Sequence, residues 1–141
     1  MTGDEDDYVL EGFAVPAGLA EVHGLLERVG AEHPEIHATD LMLFETAVGE
    51  IAANVVEHGR PIGEVRWRLT LAVREDEIEA ELLDSGHEFA ADFDTAMPDE
   101  MAEGGRGLPL AGALLHRIEL TRLDDANHWR MVRRLHEPSG E

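Results

Sequence analysis

The sequence predicts an α+β fold, a two-layer α/β sandwich in which helices cover one face of a mixed, mostly antiparallel sheet. The predicted elements follow the order β-α-α-β-β-loop-α-β-β. Strands that follow one another without an intervening helix favour antiparallel pairing, which argues against a doubly wound parallel sheet. The length of 141 residues and the apolar content of 43% suit one domain with a substantial core. We therefore expect a single domain over 1–141, with its core at about 9–135 and an acidic tail at 1–7.

The first half of the chain predicts one strand and two helices. Residues 8–15 (YVLEGFAV) read as a strand. Apolar residues then recur at intervals of three and four, which predicts a helix over about 17–32, and Pro34 breaks that pattern. Thr39 can cap the second helix, which carries a continuous apolar stripe and ends at Gly59.

The second half predicts two hairpins separated by a loop and a short helix. The strand segments show partial alternation of apolar and polar residues, and aspartates stand at both expected turns. A proline in the first turn supports the short helix. The predicted ranges are 64–74 and 77–84 for the first hairpin, 86–105 for the loop, 108–115 for the helix, and 116–123 and 127–135 for the second hairpin.

Composition excludes several classes of function. The formal net charge is −20, and all 11 basic side chains other than histidine are arginines. Such a field repels nucleic acid and favours basic partners, although solubility or a salt-adapted proteome explains it equally well. The chain has no cysteine, hence no disulfide and no thiolate zinc site. No apolar run approaches the ~20 residues that span a bilayer, and the acidic N-terminus resembles no signal peptide, so we expect a cytoplasmic protein without membrane contact.

The second predicted helix contains the stretch EIAANVVEHG. Glu50, Asn54 and Glu57 fall on one stripe of this helix, beside its apolar stripe. An asparagine oxygen is a hard neutral ligand that Mg²⁺ accepts, and a neighbouring glutamate can accept a proton. The alternative is an ordinary solvated helix face, and the stripe by itself favours that alternative.

The second motif is LLDSGHEF, at the end of a predicted strand. Asp84 can accept a hydrogen bond from an exocyclic amine such as that of adenine, and Gly86 lets a ring approach the backbone. The alternative is an ordinary turn between a strand and a loop, in which Asp and Gly are common residues.

The third motif is EGGRGLPLAGALL, which precedes and enters the short helix. Glycines before a helix start leave backbone amides for an anion, and Arg106 adds a fork suited to phosphate oxygens. The motif is not a Walker loop, because no GK[ST] follows. A flexible hinge before a helix is the equal alternative.

Taken in order, the three motifs resemble the N-box, G1-box and G2-box of the histidine-kinase-like ATPases, which have the Bergerat fold. The segment TAVGEIAANVVEHG, followed by DSG and GRGL in so short a chain, looks most like the anti-sigma-factor serine/threonine kinases of bacterial partner switching. The resemblance covers about residues 9–135.

The resemblance implies a role for each matching residue. Asn54 would bind Mg²⁺, Glu50 would be the general base, and Asp84 would read the adenine amine of ATP. Residues 87–104 would form the ATP lid. The remaining implied nucleotide contacts are Gly86 beside the ring, Gly105, Arg106, Gly107 and Leu108 at the phosphates, and Asn127 near the adenine.

The chain departs from the family pattern at two places, and the charge of its implied lid is a further feature that bears on nucleotide binding. His87 and Glu88 follow Gly86, where some members have a second glycine. Asn127 stands where the family often has threonine. The implied lid is acidic, which makes nucleotide binding dependent on salt.

The implied function is an anti-sigma factor that binds a sigma factor and phosphorylates an anti-sigma-factor antagonist (STAS-type) protein with ATP. A sequestering module of the same fold without kinase activity is the alternative. The catalytic domain of a two-component histidine kinase ranks lower, because no helix with a phospho-acceptor histidine precedes the domain. Related proteins commonly form homodimers, but no helix face in this sequence by itself predicts a dimer interface.

Three other features receive structural interpretations. His33 and His37 flank a proline and are expected to lie in a loop without metal. Trp67 and Trp129 are expected to pack on the sheet. Arginines near the C-terminus either pair with acids of the chain or contact an acidic partner; they are Arg130, Arg133 and Arg134.

Overall fold

The structure, a computed structural model, describes residues 8–88 and 107–135. Its elements confirm the predicted order. They are β1 (Tyr8–Phe13), α1 (Pro16–Glu32), α2 (Ala38–His58), β2 (Arg66–Val73), β3 (Glu77–Asp84), α3 (Gly107–Leu114), β4 (Arg117–Leu123) and β5 (Ala126–Arg134).

The five strands form one sheet in the order β1-β2-β3-β5-β4. Every neighbouring pair in it is antiparallel, so the described sheet has none of the parallel pairing that a mixed sheet would add. Strand β5 lies between β3 and β4, which brings the beginning of β5 beside the end of β3. Asp84 is thereby opposite Asn127 on one side and Trp67 on the other.

The core lies between one face of this sheet and the helices. Alternate residues of the central strands are buried on that face, and the apolar stripes of the helices complete a single hydrophobic cluster. Each large side chain buried there contributes about 1.5–3 kcal/mol relative to exposure. Fully buried members include Leu26, Phe44, Ile51, Leu69, Ile78, Leu82, Trp129 and Met131. Neither Trp67 nor Trp129 is exposed, as the sequence predicted.

A buried ion pair joins the start of α2 to β5. Asp40 is fully buried, and its Oδ1 accepts hydrogen bonds from Arg133 Nε at 3.1 Å and Nη2 at 3.0 Å. Arg133 Nη1 also donates to the Leu114 carbonyl at 2.6 Å, at the end of α3. One guanidinium therefore connects three elements, and replacing one partner would leave a buried charge uncompensated.

The prediction that Thr39 caps α2 is wrong. The helix begins at Ala38, and His37 is the cap residue, whose Nδ1 accepts a hydrogen bond from the Thr39 N–H at 3.4 Å. Thr39 therefore lies inside the first turn, where it supplies an N–H that needs a partner.

The predicted end of α2 at Gly59 is confirmed. The Gly59 N–H donates to the Val55 carbonyl at 2.7 Å. A Cβ at Gly59 would lie 2.5 Å from that carbonyl oxygen, which is too close for any other residue. No helix in 8–88 or 107–135 is both long enough and apolar enough to cross a membrane.

The carboxyl groups of Glu79 and Glu45, which lie away from Asp84, have shifted pKa values. Burial opposes ionisation of Glu79, but hydrogen bonds from Arg130 and Arg74 outweigh it and hold the pKa of Glu79 below its usual value. On α2, burial and then the charge of Glu27 raise the pKa of Glu45, against a smaller opposing effect of a nearby histidine. Ionised Glu79 is therefore favoured by the fold, and ionised Glu45 is disfavoured.

Candidate functional site

A cavity of about 150 Å³ lies where the end of α2 meets the end of β3 and the start of β5. The three elements converge there because β5 pairs with β3 and α2 packs against β5. Its lining is Asn54, Val55, His58, Gly59, Arg60, Asp84, His87, Glu88, Asn127 and Trp129. Three predicted site residues, Asn54 and Asp84 from separate motifs and Asn127 from the start of β5, are thus brought to one site.

Strand alternation explains which side chains point into this cavity. Leu82 and Asp84 lie on the buried face of β3, and Asn127 and Trp129 lie on the same face of β5. The apolar residue of each pair joins the core, whereas the polar residue stands at the strand end, where the core stops. The polar site therefore lies directly beside the core, on the same face of the sheet.

The Asp84 carboxylate is held by three hydrogen bonds. Its Oδ1 accepts from the Gly86 N–H at 3.0 Å and from Asn127 Nδ2 at 2.9 Å. Its Oδ2 accepts from Trp129 Nε1 at 2.8 Å, and only 3% of Asp84 is exposed. A carboxylate offers about four acceptor positions. The described network therefore fixes the carboxylate in place and leaves room for one more donor.

Asn127 forms hydrogen bonds that hold the backbone segment following β3 in place. Besides Asp84, its Nδ2 donates to the His87 carbonyl at 2.9 Å. Its Oδ1 accepts from Arg122 Nη1 at 3.2 Å, and the same Nη1 donates to the Gly86 carbonyl at 2.8 Å. Asn127 and Arg122 together hold the backbone that follows Asp84 against the edge of the sheet.

The neighbours of Gly86 leave little space for a side chain. A Cβ there would lie 3.1 Å from Asp84 Oδ1, 3.4 Å from Val65 Cγ2 and 3.5 Å from the Arg60 carbonyl oxygen. A side chain would push against the carboxylate that the Gly86 N–H binds. Gly86 therefore orients Asp84, in addition to the role near a ring that the sequence implies.

The remaining predicted site residues are not among the described residues that line the cavity. Glu50 lies one helical turn before Asn54, is partly buried, and is not among the residues that line the cavity. Gly107 and Leu108 open α3, which packs against α2. Gly105 and Arg106 lie outside the described residues, as does the implied lid except for His87 and Glu88, which are exposed.

Sequence reasoning did not select several residues of this site for binding. Gly59 was assigned only to the end of a helix and Trp129 only to packing. His58, Arg60 and Arg122 were likewise not selected. The period of two in β4 places Arg122 on the same face as Leu120, so its inward direction could have been predicted. Its bond to the Gly86 carbonyl depends on the β4–β5 and β3–β5 registers, which the local pattern does not give.

The described residues offer few metal ligands. Within 8–88 and 107–135, no group of three or more His, Asp or Glu side chains could hold a metal ion. Asn54 places an amide group on the lining of the cavity, and its oxygen is a hard ligand that Mg²⁺ accepts. A magnesium ion at Asn54 would need its other ligands from water and from phosphate oxygens, which is how Mg²⁺ is usually held beside a nucleotide.

Comparison with known families gives a match over most of the chain. The model of the family described as the histidine kinase-like ATPase domain matches residues 14–133, from the residue after β1 to the last but one residue of β5. No curated protein matches the chain.

Solved structures of low sequence identity share the fold. One is the crystal structure of the RsbU and RsbW domains of Rv1364c from Mycobacterium tuberculosis, with a TM-score of 0.63 and 20% identity over 94% of this chain and 34% of that chain. The chain thus spans about a third of that structure. Another is the mycobacterial sensor histidine kinase MprB, with a TM-score of 0.52 and 14% identity over 92% of this chain and 99% of that chain.

Proposed function

The chain belongs to the histidine kinase-like ATPase domain family, and we propose that the cavity between α2, β3 and β5 binds the adenine end of ATP. The observation that carries this proposal is the meeting of Asn54, Asp84 and Asn127 around one cavity. Within the described fold, these residues come from two motifs far apart in the chain and from the start of β5.

The cavity suits the heterocyclic ring of a nucleotide. Its volume of about 150 Å³ is below the ~300–1,000 Å³ of whole ligand pockets, so it would hold a ring while the sugar and phosphates lie outside it. Asp84 is oriented by three donors and has one acceptor position left, which an exocyclic amine can fill. A carbonyl at the same place, as in guanine, would meet the carboxylate as a second acceptor.

The remaining assignments extend from this cavity toward α3. We propose that Asn54 binds Mg²⁺ and that Gly105, Arg106 and Gly107 bind the phosphates, with Leu108 packing beneath them. Mg²⁺ would supply charge neutralisation to the triphosphate. Glu50, one turn from Asn54 on the same helix, would accept the proton of the attacking hydroxyl.

We propose further that the chain is a serine/threonine protein kinase and anti-sigma factor of a bacterial partner-switching system. It would bind a sigma factor and phosphorylate an anti-sigma-factor antagonist of the STAS type. The order of the motifs supports this, as does the fold shared with a structure that contains an RsbW domain. A sigma-factor partner implies a cytoplasmic location, and a homodimer is included in the proposal because relatives commonly form one.

Phosphotransfer tests the kinase proposal directly. The chain is incubated with γ-labelled ATP, Mg²⁺ and a purified STAS-type antagonist, and phosphoserine or phosphothreonine is identified by mass spectrometry. Glu50→Gln should abolish transfer while ATP binding, measured by calorimetry, is kept. Glu57→Gln is the matched control, because Glu57 is an exposed glutamate on the same helix and outside the cavity lining.

The results separate the parts of the proposal. Transfer at wild-type rate in Glu50→Gln would remove Glu50 from the mechanism. Transfer lost equally in Glu57→Gln would show that the helix charge, and not a general base, matters. Absence of ATP binding to the wild-type chain would refute the proposed nucleotide site.

Nucleotide selectivity tests the role of Asp84. We expect ATP to bind at least tenfold more tightly than GTP, about 1.4 kcal/mol, because in the proposed orientation adenine turns its 6-amine toward the carboxylate, where guanine has a carbonyl. Asp84→Asn should reduce this preference, and its melting temperature reports whether the Trp129 and Asn127 contacts survive. Equal binding of ATP and GTP by the wild-type chain would contradict the proposed orientation of the ring.

A sequestering module without kinase activity is the second candidate. The observation that favours it is that Glu50 does not line the described cavity. This function predicts binding of a client protein with no phosphate transferred to any antagonist, so the phosphotransfer assay distinguishes the two candidates.

A further inference from the structure

A second cavity lies at the opposite end of β3 and β5 from Asp84. It has a volume of about 170 Å³ and is called here the basic cavity, lined by Glu77, His116, Arg117, Arg130, Val132 and Arg134. The register places Glu77 opposite Arg134, seven positions along the strands from the Asp84–Asn127 pair. At roughly 3.4 Å per residue, the two sites are about 24 Å apart.

The basic side chains lie on the face of the sheet that the helices do not cover. Arg130, Val132 and Arg134 lie on the face of β5 opposite to Trp129 and Met131, and Val132 is itself buried. Arg117 lies opposite Val132 on β4. Arg117 and Arg134 are diagonal neighbours on adjacent strands, a spacing of about 7–8 Å between Cα atoms that long side chains readily bridge. Two guanidinium groups can therefore reach one anion from either side.

The arginines of this region differ in how they are paired. Arg130 Nε binds Glu79 Oε2 at 2.5 Å, and its Nη1 lies 3.9 Å from Glu119. The acid of the basic cavity, Glu77, lies 3.5 Å from Arg74. Arg117 and Arg134 are exposed, and neither forms an ion pair with another residue of the described chain.

Two exposed arginines without an ion pair therefore share this one small cavity. Of the ten arginines in the described residues, five pair with a carboxylate of the chain; they are Arg28, Arg68, Arg74, Arg130 and Arg133. The sequence left open whether arginines near the C-terminus pair internally or contact an acidic partner. The structure divides them: Arg133 binds buried Asp40, Arg130 binds Glu79, and Arg134 faces the basic cavity.

We propose that the basic cavity is a docking site for an acidic side chain of a partner protein. The carboxylate of an Asp or Glu would be held between the guanidinium forks of Arg117 and Arg134, which match its two oxygens. This proposal concerns a surface distant from the nucleotide site and does not depend on ATP binding.

The charge around the basic cavity selects a protein segment over other anions. The net charge of −20 repels extended polyanions such as nucleic acid. Glu77 and Glu119 flank the arginines and would oppose a run of acids, so the favoured segment has one acid beside apolar or neutral residues.

Backbone-amide NMR of the full chain, titrated with a matched peptide pair, tests the proposal. The probes are acetyl-Gly-Glu-Leu-Gly-amide and its Gln counterpart, with inorganic phosphate as a third arm, all without nucleotide. We expect the Glu peptide alone to shift the amides of Arg117, Val132 and Arg134, with a dissociation constant on the order of 1 mM for so short a segment. The double variant Arg117→Gln/Arg134→Gln should lose at least tenfold in affinity.

Arg68→Gln is the matched control, because Arg68 lies exposed on the same sheet face, near the other end of β2. Its affinity for the Glu peptide should be unchanged. Equal shifts with the Glu and Gln peptides, shifts with phosphate but not peptide, or an unchanged affinity in the double variant would each overturn the proposal. Because no nucleotide is present, failure here leaves the proposed kinase function untouched, and failure to bind ATP leaves this result untouched.

Discussion

Trp129 and Trp67 form a matched pair for substitution, because both indoles are buried and they differ in hydrogen bonding. Trp129 is 1% exposed and its Nε1–H donates to Asp84 Oδ2 at 2.8 Å. Trp67 is 3% exposed, and its Nε1 has no hydrogen-bond partner among the described residues. Replacing either by phenylalanine removes a similar volume, so the cavity cost is largely shared and the hydrogen bond remains as the difference.

The size of that difference follows from the chemistry of the two sites. A hydrogen bond to a charged group contributes about 1.5–3 kcal/mol, whereas removing an unsatisfied buried N–H relieves a desolvation penalty. We therefore expect Trp129→Phe to be less stable than Trp67→Phe by about 2 kcal/mol or more. For a domain of this size, the melting temperatures would differ by roughly 5–10 °C.

Urea unfolding followed by far-UV circular dichroism measures both free energies of unfolding. The chain has two tryptophans, so each variant also reports through the fluorescence of the one that remains. Equal destabilisation in the two variants would refute the importance of the indole–carboxylate bond. If the nucleotide site is as proposed, Trp129→Phe should also weaken ATP binding several-fold, because Asp84 loses an orienting donor, and Trp67→Phe should not.

Three further substitutions address charged groups. Asp40→Asn leaves the Arg133 guanidinium buried without its carboxylate, so we expect the free energy of unfolding in urea to fall by about 3 kcal/mol. The pKa of Glu79 is lowered in the folded state, so its stabilisation is present above about pH 4.5 and is lost as pH falls toward the folded pKa; Glu79→Gln should flatten this acid-side fall in melting temperature. The pKa of Glu45 is raised in the folded state, so ionisation opposes folding as pH rises above about 4.5; Glu45→Gln should raise the melting temperature at neutral pH.

Each of these three has an outcome that contradicts it. An Asp40→Asn variant as stable as the wild type would mean that the Arg133 charge is solvated in the folded chain. An acid-side profile that Glu79→Gln leaves unchanged would assign the acid sensitivity to other carboxylates. A lower neutral-pH melting temperature for Glu45→Gln would show that the carboxylate is stabilised by a neighbour. Glu64→Gln serves as the control for the two glutamates, because Glu64 is exposed and forms no ion pair with Arg130 or Arg74.

The element order was predictable because it depends on local patterns. The three-and-four spacing of α1, the apolar stripe of α2 and the alternation in the hairpins are properties of short windows. Gly59 could be assigned to a helix end for the same reason, and its contact with the Val55 carbonyl confirms it. The error at Thr39 is also local, because His37 and Thr39 lie within one turn and both can cap a helix.

The sequence predicted which motifs contribute residues to the site, but it did not predict the contacts that those residues make. Asn54 and Asp84 could be selected because their residue types suit a magnesium nucleotide and their order along the chain resembles a known family. The partners of Asp84 could not be selected in the same way. Trp129 lies 45 residues from Asp84 and Arg122 lies 36 residues from Gly86, and no short window contains either pair.

The sequence by itself determined which residues form helices and strands and which motifs carry polar chemistry, because those depend on neighbours within a few positions. The tertiary structure decided that β5 lies between β3 and β4 and in which register it pairs. That register puts Asn127 and Trp129 on Asp84 at one end of the sheet, and it puts Arg134 beside Arg117 at the other. The physical reason is that a shift of one residue in strand pairing turns every side chain to the opposite face, and only packing of the whole core selects among such registers.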